Sequence, residues 1–290
     1  MIKKMMNSYK ILIAIPIIIT ILAGGLIALN GIDEGIELKG GSIAYLKMNK
    51  HVSSDDLKKN LVESLNINNV EIISNTGNDV TIELGSELNQ TALEKGLAGS
   101  GKIVSYNSIG PVLSEEAMTQ IIWALGFAFL FMGITVFAIF REPVPAIGII
   151  LAAFCDIIIA VGGMSLFHIP LSIASVGALL MLIGYSVDTD ILLTTRLLRK
   201  KEGTVEERTV KAMKTGLTMS AAAIGSMIVL YIVTIFLIPE ADTLSDIAAV
   251  LTIGLLADII ATWLMNLGFL RWYIGSRFQK RYKKEKGGKS

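Results

Sequence analysis

The stretch LIGYSVDTDILLTTR, residues 182–196, is an apolar segment that contains two carboxylates, Asp188 and Asp190. The apolar run to which it belongs covers residues 171–193, which is long enough to cross the hydrocarbon core of a bilayer, since about 20 residues suffice. A carboxylate in such a run is costly unless it faces a protein interior, a water-filled cavity or a counter-charge. The stretch therefore predicts a membrane helix whose carboxylates have a functional role.

Five further apolar runs of similar length lie on either side of this one. The chain has 290 residues, of which 52% are hydrophobic, and such a composition is typical of a protein whose helices lie in lipid. The first run is too long for the apolar part of a cleaved signal peptide and lacks a small-residue cleavage site after it, so we interpret it as a retained signal anchor. These patterns predict a polytopic α-helical membrane protein with six transmembrane helices. The other five runs are residues 11–29, 119–140, 144–166, 216–238 and 246–270.

The distribution of Lys and Arg predicts the orientation of the chain. Basic residues gather before the first run, between the fourth and fifth runs, and in the tail 271–290, whereas the short loops at His168 and 240–245 have none. Because cytoplasmic loops carry the excess of basic residues, both termini are expected in the cytoplasm and the chain in the cell membrane. The basic tail is a topology signal that also contacts anionic lipid headgroups. The predicted domains are 1–29, 30–118, 119–270 and 271–290.

Residues 30–118, between the first and second membrane helices, are predicted to form an extracytoplasmic domain. This segment is acidic, with thirteen Asp or Glu against seven Lys. Alternating apolar residues and turn signals predict four strands, and apolar residues at helical spacing predict two helices. The resulting order is βαββαβ, which is the α+β ferredoxin-like arrangement. The predicted strands are 43–48, 70–74, 80–84 and 102–109, and the predicted helices are 55–65 and 91–97.

Asp156 in the third run and Asp258 in the sixth add two carboxylates to Asp188 and Asp190. Small or polar residues recur four positions away from Asp156, Asp188 and Asp258, which predicts that each carboxylate lies on an interior face of its helix. Asp190 lies about 200° around its helix from Asp188, so the two cannot share one narrow face. No Lys or Arg lies in the middle of any run. The carboxylates are therefore protonated, or paired with another subunit, or neutral groups that hydrogen-bond a neighbouring helix. The stripe around Asp188 consists of Gly177, Gly184 and Thr195.

The fourth run resembles the fourth membrane helix of the SecF family of protein-export membrane proteins, in its archaeal form. Two further pairs match the family. Gly40-Gly41 resembles its glycine pair where the chain enters the first extracytoplasmic domain, although a tight turn before a strand explains this pair equally well. Gly110-Pro111 resembles its Gly-Pro pair before the second helix, where proline blocks helix continuation and favours a hinge. The matching residues of the fourth run include Gly184, Tyr185, Ser186, Thr189 and Arg196.

This resemblance implies a subunit that pairs with the homologous SecD and uses the proton-motive force to assist Sec-dependent translocation. The implied partners are SecD, a SecYE-type channel, unfolded preprotein and membrane lipids, with no nucleic acid and no cofactor. Asp188 matches the membrane carboxylate of the SecD-type motif and is the leading candidate for proton coupling, beside Asp190, Asp156 and Asp258. Many bacterial SecF chains carry the carboxylate one residue later, where this sequence has Thr189, and an Arg where it has Val210.

Two other classes of function are compatible with intramembrane carboxylates. Related proton-driven exporters of small molecules or lipids usually carry two copies of the helix set, whereas this chain has one and needs a partner to complete a pseudo-twofold assembly. Intramembrane aspartyl proteases need Asp after Tyr and Asp in Gly-x-Gly-Asp, but Asp188 follows Val187 and Asp258 follows Ala257. We therefore expect no enzymatic activity. His51 and His168 lie far apart without the spacing of metal ligands, so no metal site is expected.

Overall fold

A computed structural model describes residues 9–276 of this protein, apart from residues 66, 68, 98, 200–202, 239 and 240. The predicted basic tail from residue 277 onwards, and the basic residues before residue 9, lie outside the described residues. In chain order the elements are α1 (Tyr9–Asn30), α2 (Ile36–Lys39), β1 (Gly41–Met48), α3 (Ser54–Leu65), β2 (Val70–Thr76), β3 (Asp79–Leu84), α4 (Gln90–Gly96), β4 (Gly101–Ile109), α5 (Pro111–Phe140), α6 (Pro143–Phe167), α7 (Ile173–Leu198), α8 (Val205–Leu237) and α9 (Asp242–Ile260).

Six of these helices are long and apolar enough to cross a membrane, which confirms the predicted fold class. They are α1, α5, α6, α7, α8 and α9, and the last continues through a π-helical turn, Ala261–Asn266, as far as Ser276. Helices α6, α7 and α9 supply most of the buried side chains of the bundle, whereas α5 and α8 expose most of theirs. The bundle therefore has a central layer of three helices whose side chains mainly contact other helices.

The sheet domain, which we define as β1–β4 with α3 and α4, has the predicted ferredoxin-like topology. Its four strands are antiparallel in the order β2-β3-β1-β4. Alternate residues of the strands point to one face, where they meet the apolar sides of α3 and α4. The opposite face of the sheet carries no helix of this domain. The core contains Leu46, Leu61, Ile82, Leu84 and Leu93.

Gly40 and Gly41 make the turn into β1, as the structural interpretation of this pair predicts. Their φ angles are 76° and 133°, a region that side chains strongly disfavour. A Cβ at Gly41 would also lie 2.6 Å from the carbonyl oxygen of Leu84. Backbone geometry and close approach therefore both require glycine here, and a binding role is not needed to explain the pair.

Helix α5 begins at Pro111, whereas the apolar pattern predicts its start at residue 119. Gly110 is the N-cap and Pro111 occupies the first turn, where proline is favoured because its missing N–H needs no partner there. The polar residues Ser114, Glu115 and Glu116 continue the helix beyond the apolar run. The helix therefore follows β4 directly, and the predicted boundary at residue 118 falls inside it.

The segment between α1 and α2 is hydrogen-bonded to the loop between α6 and α7. The Leu171 N–H donates to the Asp33 carbonyl at 2.7 Å, and the Gly35 N–H donates to the Leu171 carbonyl at 2.8 Å. His168 lies 2.9 Å from the Asp33 carboxylate, and the Ser165 hydroxyl donates to the Gly31 carbonyl at 2.6 Å. The chain is thus attached to the bundle just before it enters the sheet domain.

Gly162 on α6 allows α1 to approach closely, and we expect Gly162→Leu to destabilise the bundle. A Cβ at this position would lie 2.7 Å from the Ala23 Cβ and 3.0 Å from its backbone. Overpacking of this kind costs about 1–3 kcal/mol. The measurement is the thermal unfolding midpoint in detergent. Gly126→Leu on α5 is the matched control because nothing lies within 4 Å of its Cβ position, and equal midpoints for the two variants would contradict the prediction.

Candidate functional site

The interior of the helix bundle contains three carboxylates, each from a different helix. Asp156 lies on α6, Asp190 on α7 and Asp258 on α9, with relative exposures of 1%, 0% and 0%. Small residues line this region. Gly148 of α6 faces Asn266, and Ala152 of α6 packs in one cluster with Ala261 of the π-helical turn. Close helix approach therefore brings polar side chains from three helices into one buried region, which we call the interior cluster.

Short hydrogen bonds join the interior cluster across helices. The Ser186 hydroxyl donates to Asp156 Oδ2 at 2.6 Å, and Asn266 Nδ2 donates to Asp190 Oδ1 at 2.7 Å. Within α9 and its π-helical extension, the Thr262 hydroxyl donates to Asp258 Oδ1 at 3.0 Å. Ser186 and Asp190, both on α7, therefore connect Asp156 of α6 with Asn266 of the π-helical extension of α9.

The second carboxyl oxygen of each interior aspartate is buried and has no hydrogen-bond partner among the described residues. Among those same residues, neither Lys nor Arg forms an ion pair with these aspartates, while Asp258 interacts electrostatically with Asp156 and Asp190. Three neighbouring negative charges in a buried region are very unfavourable unless protons neutralise them. The arrangement is chemically suited to bind and release protons. No group of metal-ligating residues occurs in the described part of the chain.

The π-helical turn was not predicted from the sequence. Thr262 and Asn266 lie in this turn, and both contact carboxylates of the interior cluster. A π-helical turn widens the helix locally and is frequent at functional sites. Thr262 lies four residues after Asp258 and Asn266 four residues after Thr262, which is the spacing of one helix face, but the segment ATWLMN contains neither Gly nor Pro that could mark a break in α-helical geometry.

Asp188 lies on the opposite side of α7, where it is exposed. The expectation that its glycine stripe faces the interior of this chain is therefore wrong. Gly177 and Gly184 are exposed too, and no atom lies within 4 Å of a Cβ built on either. Helix α7 has small or polar residues on both sides, so periodicity alone could not distinguish the inner side from the outer one. The exposed stripe Gly177, Gly184 and Asp188 is named the outer face of α7.

The remaining residues of the α7 motif have structural contacts within the chain. Tyr185 is half-buried in the cluster that contains Leu182, and the Thr189 hydroxyl donates to the Tyr185 carbonyl at 3.1 Å. Arg196 donates to the Thr215 hydroxyl of α8 at 3.4 Å. Arg208 donates to the Leu197 carbonyl at 2.9 Å. These two arginines therefore join α7 to α8.

Comparison with known proteins places these features in a family. Residues 89–276 match the family described as protein export membrane protein SecD/SecF, C-terminal. The protein-export membrane protein SecF of Methanothermobacter thermautotrophicus is 57% identical over 96% of this chain and 96% of its own length. The SecF of Methanocaldococcus jannaschii is 43% identical over 93% of this chain and 97% of its own.

A solved structure has the same fold as this chain. It is SecDF, a translocon-associated membrane protein from Thermus thermophilus, which matches with a TM-score of 0.72 at 19% identity. The match covers 92% of this chain, and this chain spans 38% of that solved chain. The six helices and the sheet domain thus occur together in a larger membrane protein.

Proposed function

The chain belongs to the SecF proteins of the SecD/SecF protein-export membrane family, and on that premise we propose that it is the SecF subunit of a proton-driven SecDF complex. In this proposal it assists Sec-dependent translocation of unfolded preproteins across the cell membrane, next to a SecYE-type channel. Both termini lie in the cytoplasm, the sheet domain lies outside, and the basic tail contacts anionic lipids.

The observation that carries the proposal is the outer face of α7. An Asp at membrane depth costs about 3 kcal/mol or more when it faces lipid. Asp188 is exposed on this chain, and the two glycines beside it leave open space along the helix. Small residues in such a row allow a second helix to approach closely, so the face is suited to a partner helix. We assign that partner to SecD.

In this proposal, Asp188 on the outer face of α7 is the residue whose protonation couples the proton gradient to movement of the protein. Protonation of Asp188 removes a charge from a region of low dielectric constant, which changes the free energy of its position by several kcal/mol. Helix α7 would tilt in response. Because Ser186 and Asp190 of the same helix belong to the interior cluster, the tilt also changes the surroundings of Asp156 and Asp258. The two polar regions on opposite sides of α7 are therefore coupled through one rigid helix.

We expect Gly184→Leu to reduce assembly with the SecD-like chain by about tenfold, which corresponds to about 1.4 kcal/mol. The added side chain would occupy the open space that a partner helix needs. The measurement is the amount of SecD-like chain that co-purifies with the tagged protein from native membranes in mild detergent. Gly126→Leu is again the matched control, since it fills similarly open space beside the exposed aromatic residues of α5.

The same purification tests the proposed function as a whole. A SecD-like chain bound to the unaltered protein and lost only from Gly184→Leu would support the proposal. If the unaltered protein is isolated as a homodimer, or with a partner unrelated to SecD, the proposed complex is wrong. Equal losses from both glycine variants would contradict the assignment of the interface to α7.

A further inference from the structure

A cleft of about 390 Å³ separates the sheet domain from the bundle. It lies between the face of the sheet that carries no helix and the neighbouring ends of α8 and α9. The sheet forms one wall of the cleft, with Tyr45, Ser74 and Thr81. The bundle forms the other wall, with Ile235, Phe236 and Ile238. The cleft is at the small end of the range of about 300–1,000 Å³ that ligand sites occupy. It is too small for a folded domain and fits a few residues of extended chain.

The sheet wall presents a row of hydroxyl groups. Strand pairing places Tyr45 opposite Thr81, and Thr81 opposite Ser74, so the three side chains cross the sheet at one level. Ser74 is exposed and Thr81 keeps 7% of its surface accessible. Neither hydroxyl has a hydrogen-bond partner among the described residues, and neither is among the buried polar atoms that lack one, so water reaches both from the cleft. Ser74 and Thr81 therefore offer hydrogen bonds that the protein itself does not use.

Tyr45 remains a hydrogen-bond donor at neutral pH. Burial, followed by the nearby carboxylate of Asp242, raises the pKa of its phenol above the ordinary value. Its phenol interacts with the carboxylate of Asp242 at the start of α9. This interaction links the sheet to the bundle at one end of the cleft.

The opposite wall is apolar and exposed. Phe236 is 77% exposed at the end of α8, and Ile235 and Ile238 are exposed beside it. On the edge strand β4, the pairing with β1 shifts between Tyr45 and Leu46, which leaves Val104 as an extra residue whose side chain lines the cleft. Such bulges re-aim side chains at sheet edges. One wall therefore provides hydrogen bonds and the other provides apolar contacts.

We infer that this cleft binds a short extended segment of unfolded polypeptide, through main-chain hydrogen bonds to the hydroxyl row and apolar contacts with Phe236. This inference rests on the proposed function in protein export. Hydroxyl groups both donate and accept, so they suit peptide N–H and C=O groups in any sequence. Asp79 and Asp242 line the cleft, and residues 30–118 carry thirteen acidic residues against seven Lys. The negative charge favours segments with basic residues and disfavours anionic lipid headgroups.

The experiment uses the full complex in native membranes with a secretory chain arrested during translocation. A photo-crosslinking phenylalanine derivative is introduced at Phe236 or Val104 in the cleft. Lys59 on α3 provides the control position, since it is exposed on the side of the domain that the helices cover. We expect crosslinks to the arrested chain from both cleft positions, at about five times the yield from Lys59.

Thr81→Val tests the hydroxyl row in the Phe236 crosslinking background. It should lower the crosslink yield about fivefold, which corresponds to about 1 kcal/mol for one hydrogen bond. The amount of co-purified SecD-like chain should not change. If the crosslink yield stays the same, the inference that the hydroxyl row binds the polypeptide is wrong.

The remaining outcomes separate this inference from the proposed function. If crosslinks to the arrested chain are equally strong or stronger at Lys59, the domain still contacts the preprotein, but outside the cleft. This outcome overturns the inference. Crosslinks from the cleft to lipid or to the SecD-like chain would overturn it as well. An absence of crosslinks to the arrested chain from all three positions would contradict preprotein handling by this domain, and the inference would fall with it.

Discussion

Replacing Asp188 with Asn should abolish the part of protein export that depends on the proton gradient. Asn has nearly the shape of Asp and hydrogen-bonds similarly, but it does not bind and release a proton in the physiological range. The variant should therefore still fold and assemble with the SecD-like chain. The measurement is the export rate of a secretory protein into vesicles with and without an imposed proton gradient. We expect the two rates to be equal for Asp188→Asn.

Asp56→Asn is the matched control for Asp188→Asn, because it makes the same chemical change at an exposed position on α3. This control should respond to the gradient like the unaltered protein. If Asp188→Asn supports full gradient-dependent export, Asp188 is not the coupling residue. The same change at Asp156, Asp190 and Asp258 then shows which interior carboxylate takes that role.

Loss of the hydrogen bond between Asp190 and Asn266 is expected to have the second large effect, a decrease in thermal stability. Asn266→Leu removes the donor and leaves the Asp190 carboxylate buried without its 2.7 Å hydrogen bond. An unsatisfied buried polar group costs about 1–3 kcal/mol, and the cost rises to about 3–5 kcal/mol for an uncompensated charge. The variant should therefore unfold at a clearly lower temperature in detergent than the unaltered protein.

A double-variant cycle distinguishes the lost hydrogen bond from a general defect in packing. Asp190→Leu combined with Asn266→Leu replaces both partners by apolar groups, which costs much less than leaving one partner unsatisfied. The double variant should therefore be more stable than Asn266→Leu alone. Asp188→Leu on the outer face of α7 is a further control, because it removes an exposed carboxylate of the same helix. Strictly additive destabilisation would contradict the importance of this hydrogen bond.

The membrane architecture and the topology of the sheet domain could be predicted from the sequence, because each depends on local pattern. The run 171–193 lies almost entirely within Ile173–Leu198, and the turn at Gly77 separates β2 from β3 as the alternation around it predicts. The separation of Asp188 from Asp190 also follows from helix geometry alone. The structure places them on opposite sides, one exposed and one buried.

The composition of the interior cluster could not be predicted, because it depends on how three helices pack. Ser186 contacts a carboxylate on α6, and Asn266 contacts one on α7 from within a π-helical turn that no residue of the segment predicts. The contact between Tyr45 and Asp242 joins two parts of the chain that lie far apart in sequence. Pairings of this kind follow from the tertiary structure, which single-chain periodicity does not encode.

The hydrogen bonds between the Asp33–Gly35 segment and Leu171 determine how a displacement of α7 would reach the sheet domain. Leu171 lies two residues before the first residue of α7, and its N–H and C=O groups hold the chain just before α2 and β1. Only Ser172 lies between Leu171 and α7, so the tilt of α7 that we propose would carry with it the chain that enters the sheet domain. The sheet domain would then move as a unit, without any change in its own fold.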